Sequence, residues 1–202
     1  MKSEQKPTNK YYSQNAEEYF KSTVKIDTSS ICEEFEKLVK NYAGKSSPLI
    51  LDAGCGSGRD AHYFKTKKFT VVGMDFSIEL LKLSKSGFNL ISVNSSFYNL
   101  PFQPNVFDGV FANASLLHIP KDRFSEALRN LKNIIKKKGI LFFTLKKGSG
   151  ESVDEQGRFF SYYNECEIEK VLQLLNLRIE FLNVTKSYDG RNLEWLSVAC
   201  RV

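Results

Sequence analysis

No apolar run in this chain approaches the roughly 20 residues that span a bilayer, so no membrane-crossing helix is expected. The opening segment, Met1–Lys10, is polar and lacks the apolar core of a secretory signal, which points to a cytoplasmic protein. Cysteine is sparse. Cys32, Cys55, Cys166 and Cys200 stand apart with no metal-type spacing, so no metal site is expected and the expected state is reduced thiols. Internal repeats and low-complexity tracts are absent. So is a basic stripe with interleaved aromatics, which disfavours a nucleic-acid partner.

With 202 residues, the chain fits one domain that buries a sizeable core without staples. Its hydrophobic share of 42% and charged share of 26% are ordinary globular values. The net charge of +6 permits an anionic partner without demanding one. Part of the excess has a local reason. Lys136, Lys137 and Lys138 precede Gly139 at an expected helix end, and Lys65, Lys67 and Lys68 end another, where the helix dipole favours cations.

Two helices are expected first, near Asn9–Ser22 and Ser29–Ala43. Ser29 or Ser30 is the expected cap, with Glu33 completing a capping box, and Gly44 and Pro48 mark the exit. Short apolar runs follow at 49–51, 70–74, 89–93, 106–111 and 140–145. Helical patterns lie between most of them, clearest at Asp60–Thr66, Ser77–Ser84 and Arg123–Ile135. That alternation predicts βαβ units and a parallel sheet covered on both faces. In the tail, a helix near Glu165–Leu175 precedes two strand-like runs, Arg178–Thr185 and Leu193–Arg201. The Asp189-Gly190 turn signal between them predicts an antiparallel pair closing the sheet.

The strongest local signal is Leu51-Asp52-Ala53-Gly54-Cys55-Gly56-Ser57-Gly58-Arg59-Asp60, after one strand and before one helix. Glycines there allow a tight turn and close ligand approach, and the helix start offers free N–H groups. The spacing departs from G-x-G-x-x-G, because Arg59 stands at the third glycine's place. Acidic Asp52 suits a ligand bearing an ammonium group. Asp75 ends the second strand roughly 20 residues on, where a carboxylate accepts hydrogen bonds from ribose hydroxyls. A purely structural turn, and an N-cap role for Asp75 or Ser77, are the competing readings.

On these residues, positions 49–145 resemble the core of the class I S-adenosylmethionine-dependent methyltransferases. The acid-plus-glycine turn, Asp75, the Leu100-Pro101-Phe102 step, and Phe107-Asp108-Gly109-Val110-Phe111 leading into Ala114-Ser115-Leu116-Leu117-His118-Ile119 carry the likeness. The resemblance implies a Rossmann-like three-layer α/β sandwich, with a mostly parallel seven-stranded sheet, an antiparallel last strand and added N-terminal helices. It also implies S-adenosylmethionine as cofactor. Gly54 and Gly56 would hold its methionine part, with Asp52 and Arg59 beside them. Asp75 would bind the ribose, with Ser77 a further cofactor-binding candidate beside it, and Phe76, Ser96 and Phe97 would meet the adenine, although many relatives carry aspartate where Ser96 stands. Ala112 and Asn113 would approach the sulfonium.

Tyr12, Ala16, Tyr19 and Thr23 share one helical face. Two readings stand: a packing stripe, or a lid that brings the Tyr12 and Tyr19 hydroxyls to the cofactor. The division expected is a helical lid over 1–45 and a cofactor-binding domain over 46–202. His118 is the candidate catalytic base, with capping or packing as its alternative. Lys146, Arg158, Tyr163, Arg191 and Trp195 join it as acceptor-binding candidates, with an Arg191–Glu194 ion pair as the bland alternative. The segment 147–151 is flexible in composition and suited to closing over substrate. The function expected is methylation of a small-molecule acceptor by a monomer or homodimer. The competing readings are a tRNA or protein methyltransferase, a non-catalytic S-adenosylmethionine-binding module, and a nicotinamide oxidoreductase.

Overall fold

The computed structural model describes residues 5–186 and 193–202. Arg191 and the Asp189-Gly190 turn therefore lie outside the described residues. Seven strands form one sheet: β1 (Leu49–Ala53), β2 (Thr70–Asp75), β3 (Ile91–Asn94), β4 (Phe107–Ala112), β5 (Ile135–Lys146), β8 (Arg178–Lys186) and β9 (Glu194–Arg201). Their order is β3-β2-β1-β4-β5-β9-β8. Strands β1 to β5 run parallel, and β9 runs antiparallel between β5 and β8. All six residues of β4 are buried, because helices cover both faces at the sheet's centre.

On one face lie α3 (Ser29–Ala43), α4 (Arg59–Thr66) and α5 (Ile78–Phe88). There Phe35, Phe64, Phe111 and Phe142 form a ring cluster with centroids 5.0–6.1 Å apart. Gly109 lets α3 come close, since a Cβ there would stand 2.7 Å from Val39 Cγ2. On the other face α6 (Lys121–Ile134) and α7 (Glu165–Leu174) bury Phe124, Leu128, Leu131, Ile168 and Leu172.

Several expectations need correction. The first helix is two, α1 (Gln5–Gln14) and α2 (Ala16–Thr23), divided at Asn15, whose side-chain amide donates to the Tyr11 carbonyl at 2.8 Å. The cap of α3 is Thr28, which makes no side-chain cap bond; its hydroxyl donates to Asp60 Oδ1 at 2.7 Å. The expected capping box at Ser29 or Ser30 therefore does not form. Helix α3 is a core element, with Ile31, Cys32, Phe35 and Val39 at most 2% exposed. A boundary at residue 45 therefore cuts through packed structure, and only α1 and α2 lie apart from the sheet's covering layers. Lys136–Lys138 open β5 rather than end a helix, and Lys136 pairs with Asp108 at 2.9 Å. Finally, 151–161 holds an unforeseen hairpin, β6 (Glu151–Val153) with β7 (Phe159–Ser161), so the glycine-rich 147–151 stretch leads directly into paired strand.

Candidate functional site

The strand order reverses between β1 and β4, and in open α/β sheets ligands bind outside the carboxyl ends of strands at such a switch point. Beyond β1 the backbone turns sharply. The Gly54 and Cys55 amides donate to the Met74 carbonyl at 2.7 and 2.9 Å, and Gly54, Gly56 and Gly58 take φ of 82°, 51° and 91°. The first two glycines serve different ends. A Cβ on Gly54 would stand 2.2 Å from Ser115 Cβ, so that glycine is required by packing. A Cβ on Gly56 would meet only Tyr19 Cε1, at 3.9 Å, across a cleft.

Asp75, at the end of β2, accepts the Gly56 amide on Oδ2 and the Ser77 amide on Oδ1, both at 2.9 Å. Burial raises its pKa to about 6, against those two bonds. Ser77 caps α5, its Oγ accepting from the Leu80 amide at 3.3 Å. Fully buried there, it lines neither cleft lobe, which corrects its expected ligand role.

Two lobes open at this edge. The first, about 760 Å³ of empty space, is lined by Gly54, Gly56, Asp75, Phe76, Ser96 and Phe97, together with Thr8, Asn9 and Tyr98. The second, about 930 Å³, is lined by Arg59, Asn113, Lys146, Arg158, Phe160 and Trp195, and by Thr144, Thr185 and Ser197. Tyr12, Tyr19, Ala114 and His118 line both lobes and form the boundary between them. Helix α1 crosses the mouth of the cleft and is tied down by Thr8, whose Oγ1 accepts the Phe159 amide at 2.8 Å.

The boundary has a defined protonation state. His118 Nδ1 lies 2.6 Å from the Phe159 carbonyl, which only accepts, so Nδ1 carries the proton. Nε2 then accepts from the Tyr12 hydroxyl at 2.9 Å. Burial holds the His118 pKa down at about 4, so the ring is neutral near pH 7.

Behind the second lobe, Asp60 gathers Arg59 (2.7 and 3.0 Å), Thr28 (2.7 Å) and Asn113 (3.0 Å). Burial opposes its ionised form, but those donors outweigh it and hold its pKa below the usual range. Asp52 lies beneath the turn, lines neither lobe, and is raised well above the usual carboxylate range by burial. Its Oδ2 is buried with no hydrogen-bond partner among the described residues.

Eight of the thirteen cofactor candidates line the first lobe or its boundary wall, Tyr12, Tyr19, Gly54, Gly56, Asp75, Phe76, Ser96 and Phe97, and Asn113 lies across the boundary in the second. Arg59 faces the second lobe instead, because its guanidinium folds back on Asp60 and the Thr23 carbonyl. Ala112 is fully buried behind the wall. Of the acceptor candidates, His118, Lys146, Arg158 and Trp195 meet in the second lobe. Tyr163 does not. It is 3% exposed in the core, its ring 4.6 Å from Phe124, because the hairpin turns it inward. Thr8, Phe160, Thr185 and Ser197 were missed. The first shows an i, i+4 relation to Tyr12, and the last follows Trp195 by two on one strand face.

The residues present fit S-adenosylmethionine on structural grounds. Gly56 leaves open the space a Cβ would fill, and Asp75 presents a buried carboxylate to the lobe.

Residues 51–143 match the methyltransferase domain family. An uncharacterized protein of Methanocaldococcus jannaschii is 36% identical over 123 residues, covering 61% of this chain and 52% of the relative. The malonyl-[acyl-carrier protein] O-methyltransferase of Buchnera aphidicola is 30% identical over 150 residues, covering 61% of this chain and 58% of that protein. The chain therefore spans only about half the length of these curated relatives. Among solved structures, the Burkholderia thailandensis 1,6-didemethyltoxoflavin-N1-methyltransferase, with its substrate and S-adenosylhomocysteine bound, superposes with a TM-score of 0.78. It is 17% identical, with 97% of this chain and 87% of that one covered. With the glycine turn, the acid ending β2 and the reversed last strand in place, residues 51–143 are a methyltransferase domain, set in a chain with the fold of the class I S-adenosylmethionine-dependent methyltransferases.

Proposed function

We propose that this chain methylates a small-molecule acceptor, with S-adenosylmethionine in the first lobe and the acceptor in the second. The observation that carries the reading is the partition of one cleft into two lobes by Tyr12, Tyr19, Ala114 and His118. The cofactor supplies a methyl group already activated on a sulfonium. The chain's own contribution is to align two ligands and exclude water.

In this reading Asp75 accepts from the ribose hydroxyls, the Gly56 backbone lies against the methionine part, and Phe76, Ser96 and Phe97 surround the adenine. Asp52, buried beneath the turn and lining neither lobe, lies outside this ligand shell, which corrects its expected ligand role. Helices α1 and α2 act as the lid, with Tyr12 and Tyr19 on its inner face. His118 is held neutral with Nε2 engaged by Tyr12, so the two act together, and His118 accepts a proton only when the Tyr12 hydroxyl turns away. A base is required only for acceptors that must lose a proton.

Arg59, Lys146 and Arg158 line the second lobe; Arg59 is paired with Asp60 and Arg158 with Asp154, each at 2.7 Å, and those two carboxylates stand behind the lining rather than in it. An anionic or electron-rich acceptor suits that lining. The Burkholderia enzyme of the same fold is described with 1,6-didemethyltoxoflavin as its bound acceptor. The test is calorimetric titration with S-adenosylhomocysteine, then turnover of S-adenosylmethionine with a panel of small acceptors. Binding without turnover on any acceptor would mark a non-catalytic module. Turnover only on tRNA or protein would overturn the small-molecule assignment.

A further inference from the structure

The face that β5 and β9 present to α3 changes character along its length. Phe142 and Ala199 are packed in the core. One row further, Thr144 stands opposite Ser197, and the next row on that face is Lys146, Trp195 and Thr185. Those last five residues all line the second lobe, so the sheet itself forms its floor.

The hydroxyls on that floor are not equivalent. Thr144 is fully engaged, donating to Asn113 Oδ1 at 2.7 Å and accepting the Ala114 amide at 2.8 Å. Its cross-strand neighbour Ser197 is 1% exposed, and its Oγ has no partner among the described residues. Thr185 Oγ1 is likewise buried and unpartnered. Buried hydroxyls without partners are costly, and an alanine or valine would fill either place without that cost. Two such groups on the floor of one ligand lobe point to a ligand that satisfies them.

Their spacing restricts what that ligand is. Thr185 pairs with Trp195, and Ser197 lies two residues further on, which makes Thr185 and Ser197 diagonal neighbours. Diagonal neighbours stand about 7–8 Å apart at Cα. A carboxylate taking one hydrogen bond of about 2.8 Å on each oxygen bridges that span. Cations agree with it. Lys146 lies 3.6 Å above the Phe160 ring centroid and Arg158 5.4 Å, both in the same lobe. The aromatic walls of Trp195, Phe160 and Tyr19 suit a flat ring.

We propose that the second lobe takes a planar aromatic carboxylate, its two oxygens held by the Ser197 and Thr185 hydroxyls and its ring against Trp195. The inference rests on the placement of the acceptor in that lobe. Trp195 is the single tryptophan of the chain, so its fluorescence reports on this floor alone. With S-adenosylhomocysteine present, salicylate, quinaldate and indole-3-carboxylate are titrated beside their uncharged amides. At least one acid is expected to quench saturably and to bind at least tenfold tighter than its amide. Ser197→Ala and Thr185→Val should each weaken that acid three- to tenfold and leave the amide unchanged. Calorimetry with S-adenosylhomocysteine should give the same affinity in wild type and both variants, which shows that the fold is intact. Acids and amides quenching alike, or both variants keeping full affinity for the acid, overturns the carboxylate platform while the lobe remains an acceptor site. No quenching by any probe, with S-adenosylhomocysteine still bound, overturns the placement of the acceptor as well.

Discussion

The Tyr12 hydroxyl donates to His118 Nε2 at 2.9 Å, joining the N-terminal helix to the loop after β4 across the boundary of the two lobes. The imidazole is buried and its pKa lies at about 4, against roughly 6.5 in an unfolded chain. Because the folded value is depressed, the unfolded state binds a proton that the folded state refuses. Stability is therefore lost as pH falls from about 6.5 towards about 4, by roughly 3 kcal/mol in all. Urea denaturation at pH 7.5 and 4.5 should show a larger acid loss in wild type than in His118→Phe, which lacks the titrating group. An equal loss in both would mean that His118 is protonated in the folded protein.

Gly54 and Gly56 should respond differently to the same methyl group. Gly54→Ala drives a Cβ to 2.2 Å from Ser115 Cβ at a φ of 82°, so it should destabilise the fold by several kcal/mol, read as a lowered Tm. Gly56→Ala meets no protein atom closer than 3.9 Å, so only the left-handed backbone costs it, about 1–2 kcal/mol. It should fold and yet lose most affinity for S-adenosylhomocysteine. Normal binding by folded Gly56→Ala would mean that the turn is structural and the cofactor lies elsewhere.

The sheet was legible because buried parallel strands leave continuous apolar runs, as at Leu49–Leu51 and Val106–Phe111, and each ends within a residue or two of its strand. The glycine turn and Asp75 were legible because their backbone demands are local. What stayed hidden depends on contacts distant in sequence. Thr28 gives its hydroxyl to Asp60, and Lys136 was claimed by Asp108 rather than by a helix end. Tyr163 reads as an acceptor residue beside Arg158 in sequence, but pairing of β6 with β7 turns it to Phe124. That hairpin did leave a signal, a five-residue loop containing Gly157 between 153 and 159, which competes poorly with the helical patterns on either side.

Helices α1 and α2 should open more readily than the sheet. Their described ties to the cleft are mostly side-chain contacts: the Tyr12–His118 bond, the bond of Thr8 to Phe159, Arg59 on the Thr23 carbonyl, Ser13 beside Ser77, Arg158 over the Tyr11 ring, and packing of Tyr12 and Ala16 around Leu80. Helix α3 is held by the phenylalanine cluster and is not part of this unit. Deleting residues 1–25 should leave a folded domain that binds S-adenosylhomocysteine at least tenfold more weakly and does not turn over. Hydrogen exchange in α1 should slow markedly when ligand is added. Equal protection with and without ligand would make the segment an ordinary part of the core.

Cofactor affinity should depend on pH through Asp75. Its carboxyl is pushed up to about 6 by burial, against about 3.8 unperturbed, so between those values the folded protein holds a proton that the unfolded chain releases. For stability alone the sign is the reverse of that for His118: the contribution is present at low pH and is lost as pH rises towards about 6. For binding, the ionised form matters. A carboxylate accepts from two ribose hydroxyls, whereas the protonated acid must spend one oxygen as a donor. Hydrogen bonds to a charged acceptor contribute roughly 1.5–3 kcal/mol, so Asp75→Ala should weaken S-adenosylhomocysteine at least tenfold at pH 7.5. Wild type should bind several-fold more weakly at pH 5 than at pH 7.5, and Asp75→Asn should flatten that difference. The amide cannot ionise and keeps the shape of the side chain, so a slope that survives in a folded Asp75→Asn variant assigns the titration to another group and removes Asp75 from the ribose.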